Sequence, residues 1–316
     1  MKRPLISIVT PSFNQAEFLE QTIRSVLSQA GRGSRFDLQY FVIDGGSTDH
    51  TVDVIGRYES ELAGWCSEPD RGQTHAINKG FQRCDGDLLA YINSDDYYLP
   101  GAFEAVVDAW EADPQRDFIF GTCHHVDEAG ELIRPQTATI TSFAEMLDLW
   151  QHWLRYFDNR NFVQPEVFWT RRLSRQLGGF DESRHYAMDF DYWLRGFDAG
   201  MRIHQIDQPL SAFRIHGAQK TSQIDQTRLE LMAIVDPYLQ RPDPRIDSQD
   251  RERMIALNAM ERAMILQREE SATIKLRKLA KLATGHPVLL QQRSYWRHLR
   301  RTGKRLVRWP AQRRAA

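Results

Sequence analysis

No stretch of the chain reaches the roughly 18–20 apolar residues that a membrane-spanning helix needs, so none is expected within its 316 residues. Cysteine is scarce. Cys66, Cys84 and Cys123 are odd in number, scattered, and without the paired spacing of a metal site. They read as reduced thiols of a cytosolic protein, used as small buried side chains. Acidic residues vanish after Glu270: residues 271–316 hold 13 Lys and Arg but no Asp or Glu. With a net charge of −1 overall, residues 1–270 therefore sum to −14. An acidic body argues against nucleic acid as its partner, and a basic tail points to an anionic one. Lys2 and Arg3 before Leu5–Val9 resemble a signal peptide only briefly. Pro11 and Asn14 cut the apolar run short and no cleavage site follows, so a first β-strand is the better reading.

What is present is the composition of an ordinary globular protein, 41% hydrophobic and 26% charged. Its length accommodates an α/β domain and something smaller. The expected division is a catalytic domain over residues 1–220 and a helical, basic extension over 221–316. In the first 127 residues strand and helix patterns alternate. Leu5–Thr10, Tyr40–Ile43, Trp65–Ser67, Leu88–Ile92 and Phe118–Phe120 read as strands. Glu17–Gln29, Thr51–Leu62, Thr74–Arg83 and Ala102–Ala112 read as helices. Continuous apolar strands between amphipathic helices predict a mostly parallel sheet covered on both faces. From Thr139 to Gln219 the pattern loosens and aromatics are dense, Tyr156 and Phe157 among them, with a helix over Met188–Ala199 and a strand over Leu210–Ile215. Beyond Thr221 the chain reads as helix: Gln226–Leu239, Asp250–Leu282, and a last one to Arg308.

Ligands of such sheets bind outside the carboxyl ends of the strands. Three polar clusters fall there: Thr10-Pro11-Ser12-Phe13-Asn14, Asp44-Gly45-Gly46-Ser47 and Asn93-Ser94-Asp95-Asp96. Adjacent residues on a plain strand point to opposite faces, but in a turn Asp95 and Asp96 can converge, and like charges placed together call for a cation. Hard oxygen ligands suit Mg²⁺ or Mn²⁺ bridging to a diphosphate. A solvated acidic turn or a helix N-cap explains the pair too.

These clusters, together with Asp70-Arg71-Gly72-Gln73, Ala76-Ile77-Asn78-Lys79-Gly80 and Met188-Asp189-Phe190-Asp191-Tyr192-Trp193, occur in an order and spacing that resembles the family 2 glycosyltransferases over residues 4–217. The resemblance implies a GT-A fold and transfer from a nucleotide-diphosphate sugar with inversion, by one direct displacement. It implies a nucleotide pocket lined by Thr10, Pro11 and Asp44, with Arg71 near the base or diphosphate. Asp95 is then on the ribose side, Asp96 on the metal, and Asp189 is the base. The chemistry agrees, since an acceptor hydroxyl needs a carboxylate to take its proton and the leaving diphosphate needs its charge neutralised. Capping or dipole roles remain open for Asp189 and Asp191 at their helix start.

Two positions depart from the pattern. Gly45 stands where the second acidic residue of an Asp-Asp-Gly-Ser motif is usual, which leaves the donor base open, and Met188 replaces a common Glu. His216, after a strand, is a candidate for the metal or diphosphate or else a polar loop histidine. Gln164, Trp169 and Asp191 are acceptor-side candidates, with core packing an alternative for Trp169.

In the tail, Ile274, Leu276, Leu279, Leu282, Trp296, Leu299, Leu306, Val307 and Trp309 are interleaved with Lys and Arg. Basic amphipathic helices with flanking Trp attach to anionic membrane surfaces; packing on the body or between copies is the alternative. The expected role is a transferase acting on a glycan or lipid-linked glycan, cytoplasmic and peripheral at the inner face of the cell membrane. A membrane-tethered binding protein without activity and a nucleotidyltransferase are the competing classes. The latter needs a Gly-rich phosphate loop that Thr10–Asn14 lacks.

Overall fold

A computed structural model describes residues 3–154, 160–217 and 223–308, with side chains to 303. Tyr156, Phe157 and Trp309, and the side chains of Leu306 and Val307, lie outside the described residues. The chain divides into two compact units, Met1–Phe143 with Tyr156–Ser222, and Ala144–Arg155 with Gln223–Ala316. A boundary at residue 220 therefore leaves one short internal segment with the C-terminal helices.

In the first unit, β1 (Leu5–Ser12), β2 (Asp37–Asp44), β3 (Gly64–Ser67) and β4 (Leu88–Tyr91) alternate with α1 (Ala16–Leu27), α2 (Thr51–Gly56) and α3 (Gln73–Phe81). β1 pairs in parallel with β2 and β4, and β3 extends the sheet beyond β2. From Ile6 onward every residue of β1 is buried, as a strand covered on both faces must be. α1 buries Leu19, Thr22, Ile23 and Val26, a stripe of helical period. α3 approaches β1 so closely that a Cβ at Gly80 would collide with both methyls of Val9. α2 is shorter than the predicted Thr51–Leu62. It ends at Gly56, and a separate 3-10 turn covers Glu59–Glu61; glycine is a weak helix former, and Tyr58 bonds instead to Glu20 and Arg24 of α1.

The chain continues through β5 (Tyr97–Tyr98), α4 (Ala102–Ala112), β6 (Phe118–Val126), β7 (Leu132–Thr137), α5 (Phe143–Leu147), α6 (Leu149–His152), β8 (Val167–Thr170), α7 (Arg171–Leu177), α8 (Met188–Asp198) and β9 (Ile203–Arg214). The sheet order is β3-β2-β1-β4-β8-β6-β9-β5, with β7 on β6. β1 to β4, β6 and β9 run one way, and β5, β7 and β8 run the other. Among the described residues four pairings are parallel and four antiparallel, so the sheet is mixed: the expected parallel portion, β3-β2-β1-β4, is extended by antiparallel insertions. Because β8 is antiparallel to β4, its beginning lies at the edge where β4 ends. The 3-10 turn Gln164–Glu166 that leads into β8 is thereby delivered to the ligand edge, and β9 ends there as well.

The second unit is helical: α9 (Ile224–Gln240), α10 (Ser248–Leu266), α11 (Ala272–Gly285) and α12 (Arg293–Arg308). The predicted helix Asp250–Leu282 is two helices, because the Ser271 side chain accepts the Ile274 N–H and caps a new start. Ala256, Leu257 and Met260 of α10 pack with Leu279, Ala283, Leu289 and Tyr295. Asp148 caps α6 and holds Arg253 of α10 at 2.8 Å.

Candidate active site

The turn after β4 is closed by the Asp96 N–H on the Asn93 carbonyl at 3.2 Å. The Thr22 hydroxyl of α1 lies 2.9 and 2.6 Å from the carbonyls of Ser94 and Asp96. Asp96 is 1% exposed; its Oδ1 accepts the Arg214 N–H at 3.0 Å and its Oδ2 the Asn93 amide at 3.3 Å. Burial, then the neighbouring charge of Asp95, pushes the Asp96 carboxyl well above the usual range. Asp95 Oδ2 lies 2.9 Å from His216 Nε2, with both side chains largely enclosed.

Arg214 braces the turn from the end of β9. Its Nε donates to the Asp95 carbonyl at 3.1 Å, and its other nitrogens to Gln21 Oε1 and the Glu128 carbonyl at 2.5 Å each. The guanidinium lies over the rings of Phe18 and Tyr97. Sequence reasoning missed this residue. The available signal was a lone arginine in the apolar strand Leu210–Ile215, since arginine is rarely buried without partners.

Among the described residues, no three His, Cys, Asp or Glu side chains form a metal-ligating group. The donors on offer are two adjacent carboxylates, with His216 against one of them. That set fits a hard cation drawing most of its ligands from phosphate and water, and the repulsion expressed in Asp96 is what such a cation would relieve.

A second set of contacts ties the turn to its surroundings. Gln73 donates to Asn93 Oδ1 at 2.7 Å, Asn93 donates to Gln164 Oε1 at 3.3 Å, and Gln164 donates to the Tyr91 carbonyl at 2.5 Å. Gln164 is buried in this network. Asp189 lies in the first turn of α8, its Oδ1 accepting the Phe190 N–H at 2.7 Å. The Tyr91 hydroxyl is raised well above its ordinary pKa by burial, then by the charges of Asp189 and Asp96. Both carboxylates thus add to the negative potential at this phenol. Asp191 accepts from Arg195 at 2.9 Å, and Arg195 also donates to the carbonyls of Leu177 and Gly179, so this acid fastens the segment before α8. Trp169 is 2% exposed and packed among Phe81, Phe180 and Tyr192. Its faces are given to the core.

At the ends of β1 to β3, the Thr10 hydroxyl faces inward, 2.9 Å from the Tyr40 hydroxyl, and Pro11 is buried. The Asp44 carboxylate accepts from Gly46 N, Ser47 N, Ser47 Oγ and Ser67 Oγ, so it shapes the turn. Arg71 is exposed and pairs with Glu182 at 2.6 Å. Asn14, at φ 52, joins the two loops: its N–H donates to Ser47 Oγ and its Oδ1 accepts the Thr48 N–H. Asp95, Asp96, His216 and Gln164 thus surround the end of β4, Asp189 stands at the start of α8, and Thr10, Pro11, Asp44 and Arg71 lie along the neighbouring strand ends.

The family model of Glycosyl transferase family 2 matches residues 7–172. An uncharacterized glycosyltransferase of Mycobacterium tuberculosis is 40% identical over 95 residues, 30% of this chain and 35% of that relative. The match thus spans about a third of that relative's own length. Staphylococcus aureus TarS, solved with UDP-GlcNAc, superposes with a TM-score of 0.62 at 14% identity, covering 89% of this chain and 81% of that one. The mannosyltransferase PcManGT of Pyrobaculum calidifontis, solved with GDP-Man and Mn²⁺, gives a TM-score of 0.58 at 16% identity, covering 96% and 85%. At such identities these likenesses show the fold, the GT-A arrangement that the motifs predict.

Proposed function

The chain belongs to glycosyl transferase family 2, and on that premise we propose that it moves a sugar from a nucleotide-diphosphate sugar to an acceptor hydroxyl of a glycan or lipid-linked glycan, with inversion. The observation that carries this reading is the acidic turn after β4, braced by Arg214 and His216. Asp96, with Asp95 and His216 beside it, would hold Mn²⁺ or Mg²⁺, which neutralises charge on the diphosphate when bound. Asp189 accepts the proton of the attacking hydroxyl, as a carboxylate acting on a poor nucleophile. Asn93, Gln73 and Gln164 keep the floor of the site fixed, so little reorganisation accompanies the reaction.

Nucleoside diphosphate release from a panel of nucleotide sugars with Mn²⁺ tests the assignment. Asp96→Asn is expected to abolish cation-dependent donor binding. Asp189→Asn is expected to bind donor normally but turn over about 10²–10⁴-fold more slowly. Release from both variants at the wild-type rate would remove the transferase reading.

No described helix is long and apolar enough to cross a membrane. Attachment to an anionic surface rests on the face of α12 where Arg293, Trp296, Arg297, Arg300 and Arg301 line a recess of about 450 Å³. Trp296 is 43% exposed. Because Leu279, Leu289 and Tyr295 pack against α10, truncation at residue 270 would strip a core, and replacing the four arginines by Gln is the cleaner probe. Loss of sedimentation with phosphatidylglycerol vesicles is expected. Binding that survives the replacement would refute the role of this face, and a wild type that does not sediment would refute the attachment itself.

A further inference from the structure

Gly45 ends the turn after β2, and its missing side chain leaves a volume that a different residue has entered. A Cβ built there would stand 2.8 Å from Asp70 Oδ2 and 3.4 Å from Phe13 Cδ2. Asp70 arrives from the segment after β3. Its Oδ1 accepts the Gly72 N–H at 2.7 Å, and its Oδ2 has no hydrogen-bond partner among the described residues. The Phe13 ring beside it is 59% exposed. An open carboxylate oxygen and an uncovered aromatic face therefore share one recess beside the end of β2.

The place of that recess matters. β4, β1 and β2 lie side by side in that order, so two strand spacings, about 10 Å in all, separate the recess at the end of β2 from the turn carrying Asp95 and Asp96. That is within the reach of a nucleoside diphosphate laid across the strand ends, with its phosphates at the acidic turn and its base in the recess. A flat base meets the Phe13 face as bases meet aromatic rings, and its polar edge meets Asp70.

We propose that Asp70 selects the donor nucleotide, its Oδ2 accepting the ring N–H of uracil, thymine or guanine in the space that Gly45 leaves open. This rests on the transferase reading above. A carboxylate is an acceptor only. It suits bases whose pairing edge carries a ring N–H, and it repels the ring-nitrogen lone pair that adenine and cytosine place there. Gly45 is the other half of the device, because any side chain at that position would drive the carboxylate out.

Calorimetric titration of the full chain with UDP, dTDP, GDP, ADP and CDP in Mn²⁺ decides the matter. The wild type is expected to bind at least one of the first three about tenfold or more tighter than ADP and CDP. Asp70→Asn, which keeps an acceptor for the Gly72 N–H, is expected to lose that discrimination at an unchanged unfolding temperature. Gly45→Ala is expected to lose it with Asp70 intact. A wild type that prefers ADP or CDP, or an Asp70→Asn protein that keeps the wild-type preference, overturns the assignment. If Asp96→Asn abolishes binding while Asp70→Asn keeps the preference, only the Asp70 assignment falls. If no diphosphate binds the wild type, the transferase reading falls with it.

Discussion

Nε2 of His216 lies 2.9 Å from Oδ2 of Asp95, across 121 residues of chain. Arg214, two positions earlier and so on the same side of the strand end, bonds the Asp95 carbonyl and the Asp96 carboxylate. The end of β9 is therefore as much a part of the acidic turn as the end of β4.

His216→Ala removes the group that orients Asp95. Such supporting contacts typically change cation affinity about 10–100-fold, so the Mn²⁺ concentration giving half-maximal donor binding should rise within that range. Calorimetry at graded Mn²⁺ reads it directly; an unmoved midpoint would make His216 a bystander.

Arg214→Met leaves the carbonyls of Asp95 and Glu128 and the Gln21 amide without their donor. Leaving buried acceptors without a donor costs about 1–3 kcal/mol each. Urea unfolding should show a loss of that size, and Arg214→Lys, with fewer donors and no planar fork, should recover only part of it.

Helix α3 rests on β1 at Gly80. Gly80→Ala gains helix propensity of up to about 1 kcal/mol, yet it forces a methyl into Val9, and overpacking costs about 1–3 kcal/mol. The expected net effect is a lower unfolding midpoint. A higher one would mean that the sheet yields at Val9.

Burial, then the Arg134 charge, holds the His125 imidazole down to about 4. The unfolded chain takes up that proton near 6.5, so the stabilisation is complete above 6.5 and disappears as pH falls toward 4. The swing is on the order of 3 kcal/mol. In His125→Leu the fall in melting temperature between pH 7 and pH 4.5 should be correspondingly shallower; an unchanged slope would show that His125 titrates alike in the folded and unfolded chains.

Much of this architecture is legible from local pattern. The apolar runs Leu5–Thr10 and Leu88–Ile92 announce buried parallel strands, and the Asp95–Asp96 turn follows from the second of them. Other elements have no local signature. β5 is two residues long and exists because Tyr97 and Tyr98 pair with β9. β8 lies antiparallel between β4 and β6, and nothing in Val167–Thr170 states a direction. Arg214 reads as an ordinary charged residue until the sheet brings its partners from 119 positions away. The occupation of the Gly45 space by Asp70 is likewise a distance between two turns, whereas the sequence shows only that an acid is missing.

The brace also sets an order of events during synthesis. Arg214 leaves the ribosome 118 residues after Asp96, about 6–24 s later at roughly 5–20 residues per second. During that interval β1 to β4 can pair, but the two carboxylates repel each other without the strand that steadies them. The nascent chain thus carries an unfinished acidic turn, and competence for chemistry arrives late, with the final strand of the sheet.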